Sequence, residues 1–154
     1  MKYLKTFESY NFNNILYHGS EERHEFGSRG YITDGTFFSE DIDVAKGYGK
    51  YVYRVEIKDI PIFDSLDLKD VTELIAEFGE LYDSYYGDDG GDYYIKTTDQ
   101  LMNHSDNWGI IENTDGVLDW MRGKYRGVRL IEGGSESNIL LFYPKEDIIS
   151  YNII

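Results

Sequence analysis

The chain contains no cysteine. That excludes disulfides and thiolate-held metals, and fits a reducing compartment such as the cytoplasm. No apolar run approaches the ~20 residues that a membrane-spanning helix needs, and the N-terminus lacks the apolar core of a signal peptide. A cytoplasmic location with no membrane partner is therefore expected. His18, His24 and His104 show no metal-ligand spacing, so no metal site is expected. Acidic pairs such as Asp41 and Asp43 match no calcium loop. There is no Gly-rich phosphate loop ending in Lys-Ser/Thr, and Ser20 and Ser39 lack the flanks of a nucleophile elbow. Positive charge is also scarce. Fifteen Lys and Arg stand against 29 Asp and Glu, a net charge of −14. Such a field repels phosphates, so direct contact with nucleic acid is disfavoured. It favours a basic protein partner, or one that itself binds nucleic acid; it is equally compatible with acidity that serves only solubility.

At 154 residues the chain is long enough for one domain with a sizeable core. Residues 1–14 read as a lead-in, with Tyr3, Leu4 and Phe7 at helical spacing before a break at Asn11–Asn14. Residues 15–154 form the domain. Ile15 to His18 reads as a short buried strand. From Tyr51 to Lys58 the pattern alternates, with Tyr51, Tyr53, Val55 and Ile57 on one face, and Pro61 follows. Asp70 and Glu73 have the spacing of a capping box, and Val71, Leu74, Ile75, Phe78 and Tyr82 predict a helix running through Gly79. Asn113-Thr114-Asp115 reads as the start of a second helix carrying Val117, Leu118 and Met121. Two strands, Gly127–Ile131 and Ile139–Phe142, flank a Gly133-Gly134 turn, and Ile148–Ile153 closes as a strand. Strands outnumber helices and the helices cluster mid-chain, so the fold class is α+β. An acidic, Tyr-rich insertion at about 80–113, with Asp88-Asp89-Gly90-Gly91-Asp92 at its centre, looks unable to build core.

Three pieces carry chemistry: Leu16-Tyr17-His18-Gly19-Ser20, then Gly35-Thr36-Phe37-Phe38-Ser39, then Ala45-Lys46-Gly47-Tyr48-Gly49. In order and spacing they resemble the NAD-binding half of the ADP-ribosyltransferase superfamily. The branch in question is the H-Y-E type of diphtheria-toxin-like enzymes and poly(ADP-ribose) polymerases. The interval from Gly35 to Tyr48 matches that family without a gap. The resemblance implies a split β-sheet core, NAD as cofactor, and a donor site made by Tyr17, His18, Gly19, Ser20, Phe37, Phe38, Ser39 and Tyr48. The layout is closest to the small phage anti-CRISPR ADP-ribosyltransferases, and the first residues resemble the openings of many tailed-phage proteins. By that resemblance the chain is a phage-encoded mono-ADP-ribosyltransferase that modifies a host protein, such as a defence protein.

The residues suit that chemistry. Breaking the nicotinamide–ribose bond develops positive charge on the sugar, as glycoside hydrolysis does. The site must pin the nicotinamide, hold the sugar and set a carboxylate near the developing cation. His18 can hydrogen-bond a ribose hydroxyl. Gly19 leaves its backbone N–H and C=O open to a carboxamide. Tyr48 and Phe37 offer flat faces for the ring. Ala45 stands where the polymerases have a carboxamide-binding serine, which leaves Ser20 and Ser39 as substitutes. The catalytic Glu of many members aligns with Asn138, which cannot supply charge. Glu132 and Glu136 are the nearby carboxylates. Glu132 follows Tyr125-Arg126-Gly127-Val128-Arg129-Leu130-Ile131 and is the expected catalytic residue, with Glu136 second. The tyrosine-rich insertion then reads as a surface that chooses the target or a lid over NAD. Two other classes stay open: a non-enzymatic acidic inhibitor that mimics DNA phosphates, and an NAD glycohydrolase toxin.

Overall fold

The computed structural model describes residues 14–23, 36–82, 94–132 and 136–154. The lead-in, Gly35, most of the acidic insertion and the Gly133-Gly134 turn lie outside these residues. The described elements begin with β1 (Ile15–Ser20), β2 (Thr36–Phe38), α1 (Ile42–Lys46), β3 (Tyr51–Ile57), β4 (Ile62–Asp64), α2 (Leu68–Phe78) and β5 (Leu81–Tyr82). They continue with β6 (Tyr94–Ile95), α3 (Thr98–Met102), α4 (Asn107–Asn113), α5 (Val117–Lys124), β7 (Gly127–Ile131), β8 (Ser137–Leu141), α6 (Pro144–Asp147) and β9 (Ile148–Ile153). The fold is α+β with several small sheets. Among the described residues no helix is long and apolar enough to cross a membrane. Two compact units divide the chain: the described residues of Met1–Ile60 with Tyr143–Ile154, and those of Pro61–Phe142.

In the first unit β3 is the central strand, antiparallel to β1 on one side and to β9 on the other. Tyr53, Val55 and Ile57 are buried as their alternation predicts, and Val52 is buried too. Each aliphatic side chain so buried contributes roughly 1.5–3 kcal/mol. β1 extends past His18 to Ser20, with His18 opposite Tyr53, Gly19 opposite Val52 and Ser20 opposite Tyr51. α1 starts at Asp41, whose side chain accepts from the Asp43 N–H.

In the second unit β7 pairs antiparallel with β8 and parallel with β4. Three expectations shift here. The helix predicted from Asp70 begins a turn earlier, because Asp67 is the cap and accepts from the Asp70 N–H at 3.0 Å. It stops at Phe78 rather than running on, since Gly79 turns to φ 74° and leaves Tyr82 to pair with Tyr94. Asn113 and Thr114 close α4 instead of opening the next helix. The Thr114 hydroxyl donates to the Ile110 carbonyl and accepts from the Tyr82 N–H at 2.8 Å, so its partners lie outside the next helix, and α5 starts at Gly116 with φ 85°. The acidic segment also contributes more core than its composition suggests. A reciprocal Thr97–Gln100 capping box starts α3, and Ile95, Leu101, Trp108, Ile110 and Ile111 are buried.

Asp70 has a measurable consequence for stability. Its carboxylate accepts from the Asp64 N–H at 2.8 Å in partly buried surroundings. Burial first, opposed by that N–H and reinforced by Asp67 and Asp64, raises its pKa from 3.8 to about 6. The folded state therefore holds a proton that the unfolded chain releases. The stability this adds is complete below about pH 4 and is lost as pH rises through 6. Asp70→Asn keeps an acceptor for the Asp64 N–H and cannot ionise. After discounting for partial exposure, it should exceed the wild type by about 1 kcal/mol at pH 8 and match it at pH 4. Urea unfolding at the two pH values measures this.

Candidate functional site

The backbone directions in the first unit follow from a few hydrogen bonds. Tyr17 gives its N–H to the Ser39 carbonyl at 2.7 Å and accepts from the Ser39 N–H at 2.8 Å. Both Tyr17 groups therefore point away from β3. The Ile57 N–H reaches the Asn14 carbonyl, and the Ile154 N–H reaches the Val52 carbonyl, which sets the same phase along the ladder. Antiparallel strands alternate in this respect, so the Gly19 N–H and C=O also point away from β3. Beyond the Ser39 bridge, no described residue bonds to either group.

His18 is half-buried beside this edge. Its Nδ1 lies 2.7 Å from the Phe37 carbonyl oxygen. A carbonyl only accepts, so Nδ1 carries the proton, and Nε2 is the accepting nitrogen of the neutral ring. Phe38 and Tyr53 pack against the imidazole at centroid distances of 5.4 and 6.2 Å. Gly19 lies under α1: a Cβ there would sit 1.8 Å from the Ala45 carbonyl oxygen and 3.1 Å from the Tyr48 Cβ. The Tyr48 side chain leaves from directly beside Gly19 and is 57% exposed. His18, Gly19 and Tyr48 are thus assembled in one place, with Phe37 half-buried at its rim.

Other expected donor-site residues make local contacts. Phe38 is buried and packs against the His18 ring. Ser39 is buried, and its hydroxyl accepts from the Asp41 N–H at 3.0 Å. The Ser20 hydroxyl accepts from the Glu22 N–H at 3.2 Å. Both serines brace local turns, because a hydroxyl near its own backbone competes well for N–H groups two residues on.

Glu132 and Glu136 belong to the second unit. Glu132 follows β7 and is exposed. Its carboxyl is nonetheless pushed above the ordinary carboxylate range, by desolvation first and then by Asp106 and Glu112. Glu136 is exposed just before β8. Asn138 is buried opposite Leu130. A buried polar network near Glu132 has no counterpart in the sequence reading. Asn107 donates to the Ser65 hydroxyl at 2.9 Å and accepts from the Ile131 N–H at 2.7 Å, which ties down the end of β7. Arg129 reaches Asp64 at 3.4 Å and Ser137 at 3.5 Å. The Asp64 carboxyl is pushed up by burial against the opposing pull of the Leu66 N–H and Arg129. The only sequence signal for this network is the run of acids Asp64, Asp67 and Asp70.

No protein-family model matches the chain, and no curated protein matches it. Among solved structures it is similar to a "crystal structure of an anti-CRISPR protein", with a TM-score of 0.48 and 18% identity over 91% of this chain and 94% of that one.

Proposed function

We propose that the chain binds NAD and transfers its ADP-ribose to a protein. The observation that carries this reading is the Gly19 backbone edge, to which no described residue bonds, flanked by a half-buried His18 of fixed tautomer and an exposed Tyr48. An N–H and a C=O on one strand edge complement the two ends of a carboxamide. The Tyr48 ring covers the nicotinamide. His18 accepts a hydrogen bond from a ribose hydroxyl through Nε2, and Glu132 supplies the carboxylate for the developing oxocarbenium ion. Ala45 removes one side-chain bond to the amide that the resembling polymerases have. The target is a host protein, most simply a defence protein of the kind phages oppose, by the resemblance of the motif layout; the acidity favours a basic one.

NAD should raise the melting temperature, since a ligand that binds only the folded state stabilises it by mass action. His18→Ala should abolish most of that rise. A wild-type protein with neither a thermal shift nor a heat of binding at millimolar NAD would end this reading. The net charge of −14 favours a second one, an acidic inhibitor without catalysis. It requires inhibition of the host target to survive both His18→Ala and Glu132→Gln, and no nicotinamide to be released from NAD.

A further inference from the structure

Cations are outnumbered almost two to one in this chain, yet two of them gather on one ring. The Arg23 guanidinium lies 5.3 Å from the Tyr51 ring centroid, and the Lys50 ammonium lies 5.1 Å from it. Both distances are within the ~6 Å over which an aromatic face attracts a cation. Both side chains are exposed, and Tyr51 is half-buried. Neither cation pairs with a carboxylate among the described residues. Glu21 and Glu22 adjoin Arg23 in sequence, so acids were at hand. Lys46, only four residues from Lys50, shows the usual outcome by pairing with Asp43 at 3.5 Å. The ring orients the two charges but does not neutralise them. Two cations that no described carboxylate pairs with therefore sit together on a protein of net charge −14.

Its position matters. Tyr51 is directly opposite Ser20 in the β1–β3 ladder, one residue beyond Gly19 and two beyond His18. Gly49 closes the same corner, since a Cβ there would sit 2.2 Å from the Ser20 carbonyl carbon. The two cations therefore adjoin the strand end that carries the carboxamide edge and the ribose contact. We propose that Arg23 and Lys50, seated on Tyr51, form the diphosphate subsite of the donor site, which rests on the NAD reading above. A diphosphate has two charged ends and can engage both cations of one ring, whereas a single carboxylate would occupy one. Arg23 suits the phosphate oxygens through its planar fork, and Lys50 acts as a point charge.

The test uses the whole chain, the Arg23→Gln/Lys50→Gln double variant and four probes: NAD, ADP-ribose, inorganic diphosphate and nicotinamide riboside. Both substitutions are on exposed side chains, so folding should be retained, and the melting temperature without ligand checks it. The double variant should bind NAD and ADP-ribose about tenfold more weakly, with a flatter dependence on salt, because two screened charges are lost. Nicotinamide riboside, which has no phosphate, should bind as before. If the wild type binds NAD and the double variant binds it equally well, the subsite is wrong while the NAD reading stands. If the wild type ignores NAD and nicotinamide riboside but binds ADP-ribose or diphosphate through these cations, the phosphate site stands and the NAD reading falls. Binding of none of the four overturns both.

Discussion

Glu132→Gln should leave NAD affinity nearly normal and lower ADP-ribose transfer by about a hundredfold or more. Glutamine has the same shape and can still hydrogen-bond, but it cannot offer negative charge to a sugar that becomes cationic as nicotinamide departs. An interaction that matters only in the transition state appears in kcat and not in ground-state binding. The raised carboxyl adds a second signature. Glu132 must be ionised to act, and desolvation with Asp106 and Glu112 keeps it protonated to higher pH than its ordinary 4.5. Wild-type transfer should therefore fall as the medium is acidified through a pKa above that value. The residual rate of Glu132→Gln should lack this limb. Rates of nicotinamide release and of transfer, measured from pH 4.5 to 8, test both points. Glu136→Gln should cost less. Were Glu136→Gln the inactive variant, the carboxylate would be misassigned and the mechanism kept; were neither to matter, the chain would be a binding module.

How far the sequence reached depends on whether a feature is local. The strands β3, β7 and β9 were legible because alternating or branched apolar residues have few other uses over five to seven positions. The start of α2 was not, because the Asp70–Glu73 spacing points to Asp70, whereas the 3.0 Å bond from the Asp70 N–H makes Asp67 the cap. Thr114 misled for a similar reason: its hydroxyl bonds back to Ile110, a choice set by the preceding helix. The motif order singled out His18, Gly19 and Tyr48, which the fold brings together. It could not tell Phe37 from Phe38, since a three-residue strand gives no period by which to assign its faces. The Arg23–Tyr51–Lys50 cluster and the Asn107–Ile131 bond depend on pairings between distant segments. Nothing in a single sequence displays those.

Gly19→Ala should destabilise the fold and abolish NAD binding together. The added Cβ would lie 1.8 Å from the Ala45 carbonyl oxygen and 2.9 Å from its carbon. Both are backbone atoms, so no rotamer change can make room. α1 is held in place by the Asp41 cap at one end, and by the Gly47 and Tyr48 N–H bonds to Val44 and Ala45 at the other. Accommodating one methyl means shifting that end of the helix, and overpacking of this kind costs about 1–3 kcal/mol. For a chain of this length that lowers the melting temperature by roughly 2–4 °C per kcal/mol. The same shift would carry Tyr48 away from the Gly19 edge, so donor binding should go with the stability. Gly123→Ala is the contrasting case. It lies in α5 with nothing within 4 Å of its added Cβ. There the better helix propensity of alanine should stabilise by up to about 1 kcal/mol. One methyl group should thus have opposite signs at the two glycines. Denaturant titrations of both variants, with and without NAD, decide the matter. Wild-type stability in Gly19→Ala would mean that α1 does not press on β1, and the role given to Gly19 would have to be withdrawn.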